Sequence, residues 1–264
     1  MAEKLTQEKL IELGKLPTSK IQDLGKSSIV YDTFESDVLC CKALGAGAAT
    51  GTEDDVNKIF TGKQILNYSP IGTQTIVAPV MSATGLNISQ DLTENDGVQY
   101  YPSEGAIARG KQVFTIGTDA AFYARCRLLV TDVSGTDDLL FGFRKVEAIQ
   151  AANDDYADLA ALNLISGDIY IETIKGGAAT VATDTTDDVA DLAVIDLYVE
   201  VSAAGVVTYK HGLNGGLAAP TTTASFTFDD AEVVVPFLFA LNSSDVMSGL
   251  YISKWEVGYV SEKS

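Results

Sequence analysis

The chain has 264 residues, 46% of them hydrophobic, which is enough for one large core or two smaller ones. Its 18 Lys and Arg stand against 36 Asp and Glu, a net charge of −18, so its field repels phosphate backbones and anionic lipid surfaces and argues against nucleic acid or a membrane as a partner. Three cysteines, with Cys40 and Cys41 adjacent, form neither a disulfide framework nor a zinc spacing, and a single histidine excludes a multi-histidine metal site.

Residues 1–28 hold five lysines against four acids, leaving 13 basic and 32 acidic residues for the remainder. Thr6 can cap a first short helix that Gly14 and Pro17 end, and Ser19 with Gln22 makes a capping box for a second. Helices this short are marginal alone, so the arm is expected to become ordered only against the body or a neighbouring subunit. Leu10, Leu13, Ile21 and Leu24 are its candidate partner-binding residues. No apolar run of signal-peptide length opens the chain, and "VVVPFLFAL" at 233–241 is too short to span a bilayer, so a soluble compartment is expected.

From about residue 29 the pattern changes to short extended runs separated by Gly, Thr, Ser and Asp. Residues 29–70 read as a β-rich linking segment and 71–264 as the main β domain. In "AFYARCRLLVTD", Phe122, Ala124, Cys126, Leu128 and Val130 share one face and Tyr123, Arg125 and Arg127 the other, the alternation of a half-buried strand. "TDVSGTDD" at 131–138 then reads as the tip of a β-hairpin. "NDDYADLAALN" at 153–163 reads as the one helix of this half, with Asn153 as its cap. "GGAATVATDTTDD" predicts a long hairpin, and "NGG" has turn chemistry. "GLYISKWEVGYV" predicts an inner strand with Trp255, Val257 and Tyr259 on its apolar face. Many short strands with hardly any helix make the fold class mainly β, an antiparallel β-sandwich of jelly-roll form with a short helical N-terminal arm.

Four patterns invite chemistry. Asp132, Asp137 and Asp138 could offer oxygens to calcium, but their spacing is not that of an EF-hand loop and a turn accounts for them. Asp168, Tyr170 and Glu172 share one strand face, yet residues four apart on a strand lie about 13 Å apart, whereas glycosidase carboxylates lie about 5 to 9.5 Å apart. That strand face is therefore read as exposed and polar. "GAGAATG" at 45–51 has the wrong glycine spacing for a dinucleotide loop. His211 sits in "YKHGLNGG" without a Gly-x-Ser-x-Gly elbow and reads as a loop residue. No catalytic residue, metal ligand or cofactor is assigned, and the chain is read as a non-enzyme.

"FYARCRLLVTDVSGTDDLLFGFRKVEA", "NDDYADLAALNLISGDIYIET", "LYVEVSAAGVVTYK" and "GLNISQDLTENDGVQYYP" together resemble virion structural proteins of tailed, especially marine, bacteriophages, over roughly residues 75–260. The resemblance implies a concanavalin A-like or laminin G-like jelly roll and a capsid decoration or cement protein. Its arm would reach over the major capsid protein at the surface of a virion assembled in the host cytoplasm, and a trimer would suit a threefold site. The alternative is a lectin-like receptor- or glycan-binding module of a tail or fibre.

Overall fold

A computed structural model of the chain describes residues 30–32, 38–39, 57–61, 65–71, 80–82, 84–87, 97–102, 113–242 and 249–260. The expected helical arm at 1–28, with Leu10, Leu13, Ile21 and Leu24, and the glycine-rich loop at 45–51 lie outside the described residues.

In chain order the described strands are β1 (Val30–Asp32), β2 (Val38–Leu39), β3 (Asn57–Thr61), β4 (Ile65–Ile71), β5 (Val80–Ser82), β6 (Gly85–Asn87), β7 (Gly97–Pro102), β8 (Phe114–Thr115), β9 (Phe122–Val130), β10 (Thr136–Lys145), β11 (Leu159–Ile165), β12 (Asp168–Ile174), β13 (Val181–Asp188), β14 (Ala193–Val201), β15 (Val207–Leu213), β16 (Val233–Asn242) and β17 (Leu250–Tyr259). A seven-stranded sheet runs β15-β14-β9-β17-β6-β5, with β1 also on β17, and a ten-stranded sheet runs β13-β12-β11-β10-β16-β7-β4-β3-β2, with β8 also on β16. Each pair is antiparallel, and the sheets pack face to face as a sandwich.

The alternation read in β9 is what buries it: Phe122, Ala124, Cys126, Leu128 and Val130 are fully buried in the core. Burial also pushes the Cys126 thiol well above its ordinary range, so it stays protonated and inert. β17 lies inside its sheet as expected, with Trp255 and Val257 buried. Its register against β9 shifts between Ile252 and Lys254. This bulge changes the parity, so that Leu250 and Ile252 before it and Trp255 and Val257 after it all face the core. Trp255 meets Phe141 of the opposite sheet edge to face at 5.4 Å, and Phe114, Phe122 and Phe143 form a second aromatic knot, with Phe114 stacked on Phe122 at 4.0 Å.

Around β10, β11 and β16 the ten-stranded sheet is apolar on both faces. Leu139, Phe141, Phe143, Leu238 and Ala240 enter the central core, while Leu140, Phe237, Phe239 and Ala161 form an outer cluster with Tyr156, covered in part by Ile149. Burial on both sides accounts for the unbroken apolar run of β16. Pro236 falls where β16 lacks an outer neighbour, between the β8 pairing at Val233 and Val234 and the β7 pairing that begins at Leu238, so its missing N–H breaks no ladder there. In the same outer layer the buried Arg144 guanidinium lies 4.9 Å from the Tyr156 ring and 5.7 Å from that of Tyr101, and donates from Nη1 to the Lys145 carbonyl at 3.0 Å.

Three local expectations are corrected. Residues 131–138 are not a hairpin tip: β9 and β10 belong to different sheets, and a 3₁₀ turn at Val133–Gly135 carries the chain between them. Residues 153–163 are not a helix. Only Asn153–Asp155 forms a 3₁₀ turn, and β11 follows, because Ala160, Leu162 and Leu164 fill the core while Leu159 and Ala161 fill the outer cluster, and two-sided burial outweighs alanine and leucine propensity. His211 lies within β15, opposite Leu197. Residues 176–188, expected to form a long hairpin by themselves, instead supply the turn and the second strand, β13, of a hairpin whose first strand is β12.

On the outer face of the smaller sheet Asp196 is fully buried, accepting from Arg125 Nε at 2.8 Å and Nη2 at 2.5 Å and from Arg127 Nε at 3.0 Å. Removing the carboxylate leaves two guanidinium groups facing each other under the turn at Gly215. Asp196→Ala is expected to lower stability by about 3 kcal/mol, the lower end for a broken buried pair because both arginines keep some contact with water. Urea unfolding midpoints of parent and variant check this.

Candidate functional site

The bond pattern of β13 against β12 breaks between the pairs Tyr170↔Asp184 and Asp168↔Asp188, so that residues 185–187 oppose Ile169 alone. Thr185 is buried and donates its hydroxyl to the Ile169 carbonyl at 2.6 Å, which holds the bulge. Thr186 takes a left-handed φ of 62°, unusual for a β-branched residue, with its N–H donating to Asp184 Oδ1 at 2.7 Å. The bulge turns Asp187 toward the other sheet. There its Oδ1 accepts from Thr221 Oγ1 at 2.6 Å, and its Oδ2 accepts from Thr221 N–H at 2.8 Å and lies 3.0 Å from His211 Nε2.

A tight hairpin presents the facing wall. His211 and Ala218 exchange backbone bonds at 3.0 and 2.9 Å, and Gly216 N–H donates to the Leu213 carbonyl at 3.1 Å across Asn214 and Gly215. Both central residues have positive φ, 52° and 94°, the type I′ geometry that Asn-Gly favours. Gly212 must lack a Cβ, which would run into the Gly216 carbonyl oxygen. The chain beyond the hairpin straps the sandwich edge, bonding to the larger sheet through Thr222 N–H to the Thr185 carbonyl and to the smaller one through Val207 N–H to the Phe226 carbonyl, both at 3.0 Å.

These elements enclose a cleft of about 550 Å³ between the sheet edges. Ile169, Val189, Ile195 and Leu213 give it an apolar wall, and Thr186, Asp187, Asp188, His211 and Thr221 a polar one. The Thr221 hydroxyl, then its amide, and the nearby His211 hold the Asp187 carboxyl below its ordinary 3.8. An acid held ionised is a poor proton donor for hydrolysis. The order of contacts also excludes a nucleophilic triad, in which histidine stands between acid and hydroxyl, whereas here Asp187 stands between Thr221 and His211.

The residues singled out from sequence are scattered. Asp132 Oδ1 accepts from Ser134 N–H at 3.0 Å and Oγ at 2.6 Å at the 3₁₀ turn, while Asp138 Oδ1 accepts from Asn163 Nδ2 at 2.6 Å on the larger sheet. The Asp137 side chain lies outside the described residues. Among the described residues no group of three or more His, Cys, Asp and Glu is placed to hold a metal ion. Asp168, Tyr170 and Glu172 do share a strand, but the face is not an exposed polar one: Asp168 is exposed, Tyr170 is half-buried and Glu172 is buried. Asn153 Nδ2 donates to Glu172 Oε2 at 3.1 Å. Burial raises the Glu172 carboxyl above its ordinary 4.5, and the Asp138 and Asp154 carboxylates reinforce this against the hydrogen bonds from Asn163 and Asn153. Asp187, Asp188 and Thr221 carried no sequence signal, because Asp187 is separated by 24 residues from His211 and by 34 from Thr221.

No protein-family model matches the chain, and no curated protein matches it. Solved structures do. The Ca2+/Man3GlcNAc-bound VIP36 exoplasmic/lumenal domain aligns with a TM-score of 0.51 and 9% identity over 75% of this chain and 86% of that one. A legume lectin-like domain from Entamoeba histolytica aligns with a TM-score of 0.51 and 9% identity over 74% of this chain and 91% of that one. A protein of unknown function from Shewanella oneidensis MR-1 aligns over 100% of this chain and 99% of that one, with a TM-score of 0.49 and 11% identity. The class the fold defines is a mainly β, concanavalin A-like sandwich of the kind found in lectin domains. At these identities the likeness is one of fold.

Two pH dependences follow. Ionising Glu172 costs folding free energy that is absent below about pH 4.5 and complete above its raised folded pKa. Glu172→Gln is therefore expected to melt above the parent at about pH 7 and level with it at about pH 4. The Asp187 contribution has the opposite sign: it is present above the ordinary 3.8 and lost as pH falls through the depressed folded pKa. The melting difference between parent and Asp187→Asn is expected to be clear at about pH 6 and gone near pH 2. Calorimetric melts across pH check both.

Proposed function

We propose that the chain is a non-enzymatic, lectin-like glycan-binding module and that the cleft beside Asp187 is its binding site. The observation that carries this is the cleft's mixed lining. Carboxylates and threonine hydroxyls on one wall match the hydroxyl groups of a sugar, and Leu213, 53% exposed, offers apolar surface to the face of a pyranose ring. The fold likeness to lectin domains, one of them with Man3GlcNAc bound, supports the same reading. On a virion such a module serves a tail or fibre. Capsid decoration through Leu10, Leu13, Ile21 and Leu24, and the trimer that would go with it, rests on the resemblance and on an arm outside the described residues.

Binding of the full chain to a glycan array tests the reading. At least one glycan is expected to bind, and Leu213→Ser is expected to weaken that binding about tenfold, near 1.4 kcal/mol, with the melting temperature unchanged. Failure to bind any glycan, or full binding by Leu213→Ser, would refute it.

A further inference from the structure

Arg125, Arg127, Lys145, Lys175, Lys210 and Lys254 each reach a carboxylate in an ion pair, and each is at least partly in contact with water. Arg144 is only 1% exposed, yet it forms no ion pair among the described residues. The acids of the segment folded over it are engaged elsewhere. Glu147 accepts from the Ala157 N–H at 2.8 Å, and Asp158 accepts from the Gly176 N–H at 2.9 Å and pairs with Lys145 at 3.5 Å.

The guanidinium is open along one edge. Nη1 donates to the Lys145 carbonyl, but Nε is buried without a partner, and Nη2 beside it makes no hydrogen bond and is not enclosed. On that edge Nε–H and Nη2–H point the same way, at the spacing of the two oxygens of a carboxylate. The Tyr156 and Tyr101 rings offset only part of the cost of enclosing a cation. The same layer leaves a second buried donor unmatched, Gln99 Nε2, whose amide oxygen accepts from the Tyr156 hydroxyl. Both missing partners are therefore acceptors.

We propose that the Nε and Nη2 edge of Arg144 binds the carboxylate of a small anionic ligand beneath the 146–158 segment. A carboxylate neutralises the single positive charge and accepts from both nitrogens at once. Chloride offers one acceptor atom to the fork, and a phosphate dianion leaves a net negative charge enclosed in a chain already at −18. The site is on the outer face of the larger sheet and independent of the cleft beside Asp187 and of its glycan reading.

Melting of the full chain at pH 7 in sodium acetate, glucuronate, chloride or phosphate at matched ionic strength tests the proposal. Acetate at about 0.1 M is expected to raise the melting temperature by about 3 °C or more over chloride, with saturation. Arg144→Lys keeps the charge but lacks the fork, and is expected to lose that difference. A measurement on the parent alone keeps the test independent of the variant's folding: the saturation-transfer signal of the acetate methyl is expected to fall on adding formate and to persist on adding chloride. An effect of acetate assigns the site to a free small carboxylate, and an effect of glucuronate without acetate assigns it to a carboxylate carried on a sugar; either supports the proposal. Chloride or phosphate acting as strongly as the carboxylates, no carboxylate acting at all, or an Arg144→Lys variant that keeps the preference would overturn it. Loss of glycan binding on the array would leave it standing.

Discussion

Phe141 and Trp255 meet edge to face between the two sheets at 5.4 Å, and the burial around that contact is what makes one body of strands drawn from distant parts of the chain. Each fully buried aromatic or branched side chain contributes about 1.5 to 3 kcal/mol. To bring Trp255 inward, β17 shifts its register between Ile252 and Lys254; without the shift either Leu250 and Ile252 or Trp255 and Val257 would face solvent. The two sheet edges are therefore held at a defined separation, and the cleft beside β13 and β15 exists because of that separation.

At that edge the structure departs from regular pairing. The extra residues of β13, the left-handed Thr186 and the Asn214–Gly215 turn act together to aim side chains into a gap that two uniform sheets would leave as bare backbone edge. Asp187 ties the larger sheet to the smaller through Thr221 and His211, and the strap continuing to Phe226 and Phe228 returns the chain to the core. A carboxylate with this many donors is structural.

The polar groups on the outer faces are held for different reasons. Asp196 binds two arginines in one layer and so joins β9 to β14. Arg144 spreads its charge over two tyrosine rings, and Tyr156 donates its hydroxyl to Gln99 Oε1 at 2.8 Å, fastening the 146–158 segment over the larger sheet. Glu172, under that same segment, is a carboxyl that burial makes costly to ionise at neutral pH.

Period-two alternation in 122–130 and the apolar face of Trp255 and Val257 determined a sandwich of strands from the sequence alone, because side-chain direction in a strand is a local property. The Asn214–Gly215 turn was legible for the same reason: turn chemistry is written in adjacent residues. Other features depended on partners far along the chain. Leu159–Ile165 is a strand because two layers cover it, Thr136 begins a strand of the opposite sheet where a hairpin return was expected, and Glu172 is buried with Asn153 folded over it. The cleft is the extreme case. Asp187, His211 and Thr221 have no spacing that a sequence can announce, and only the pairing of sheet edges, a long-range packing outcome, brings them within 3.0 Å of one another's contacts.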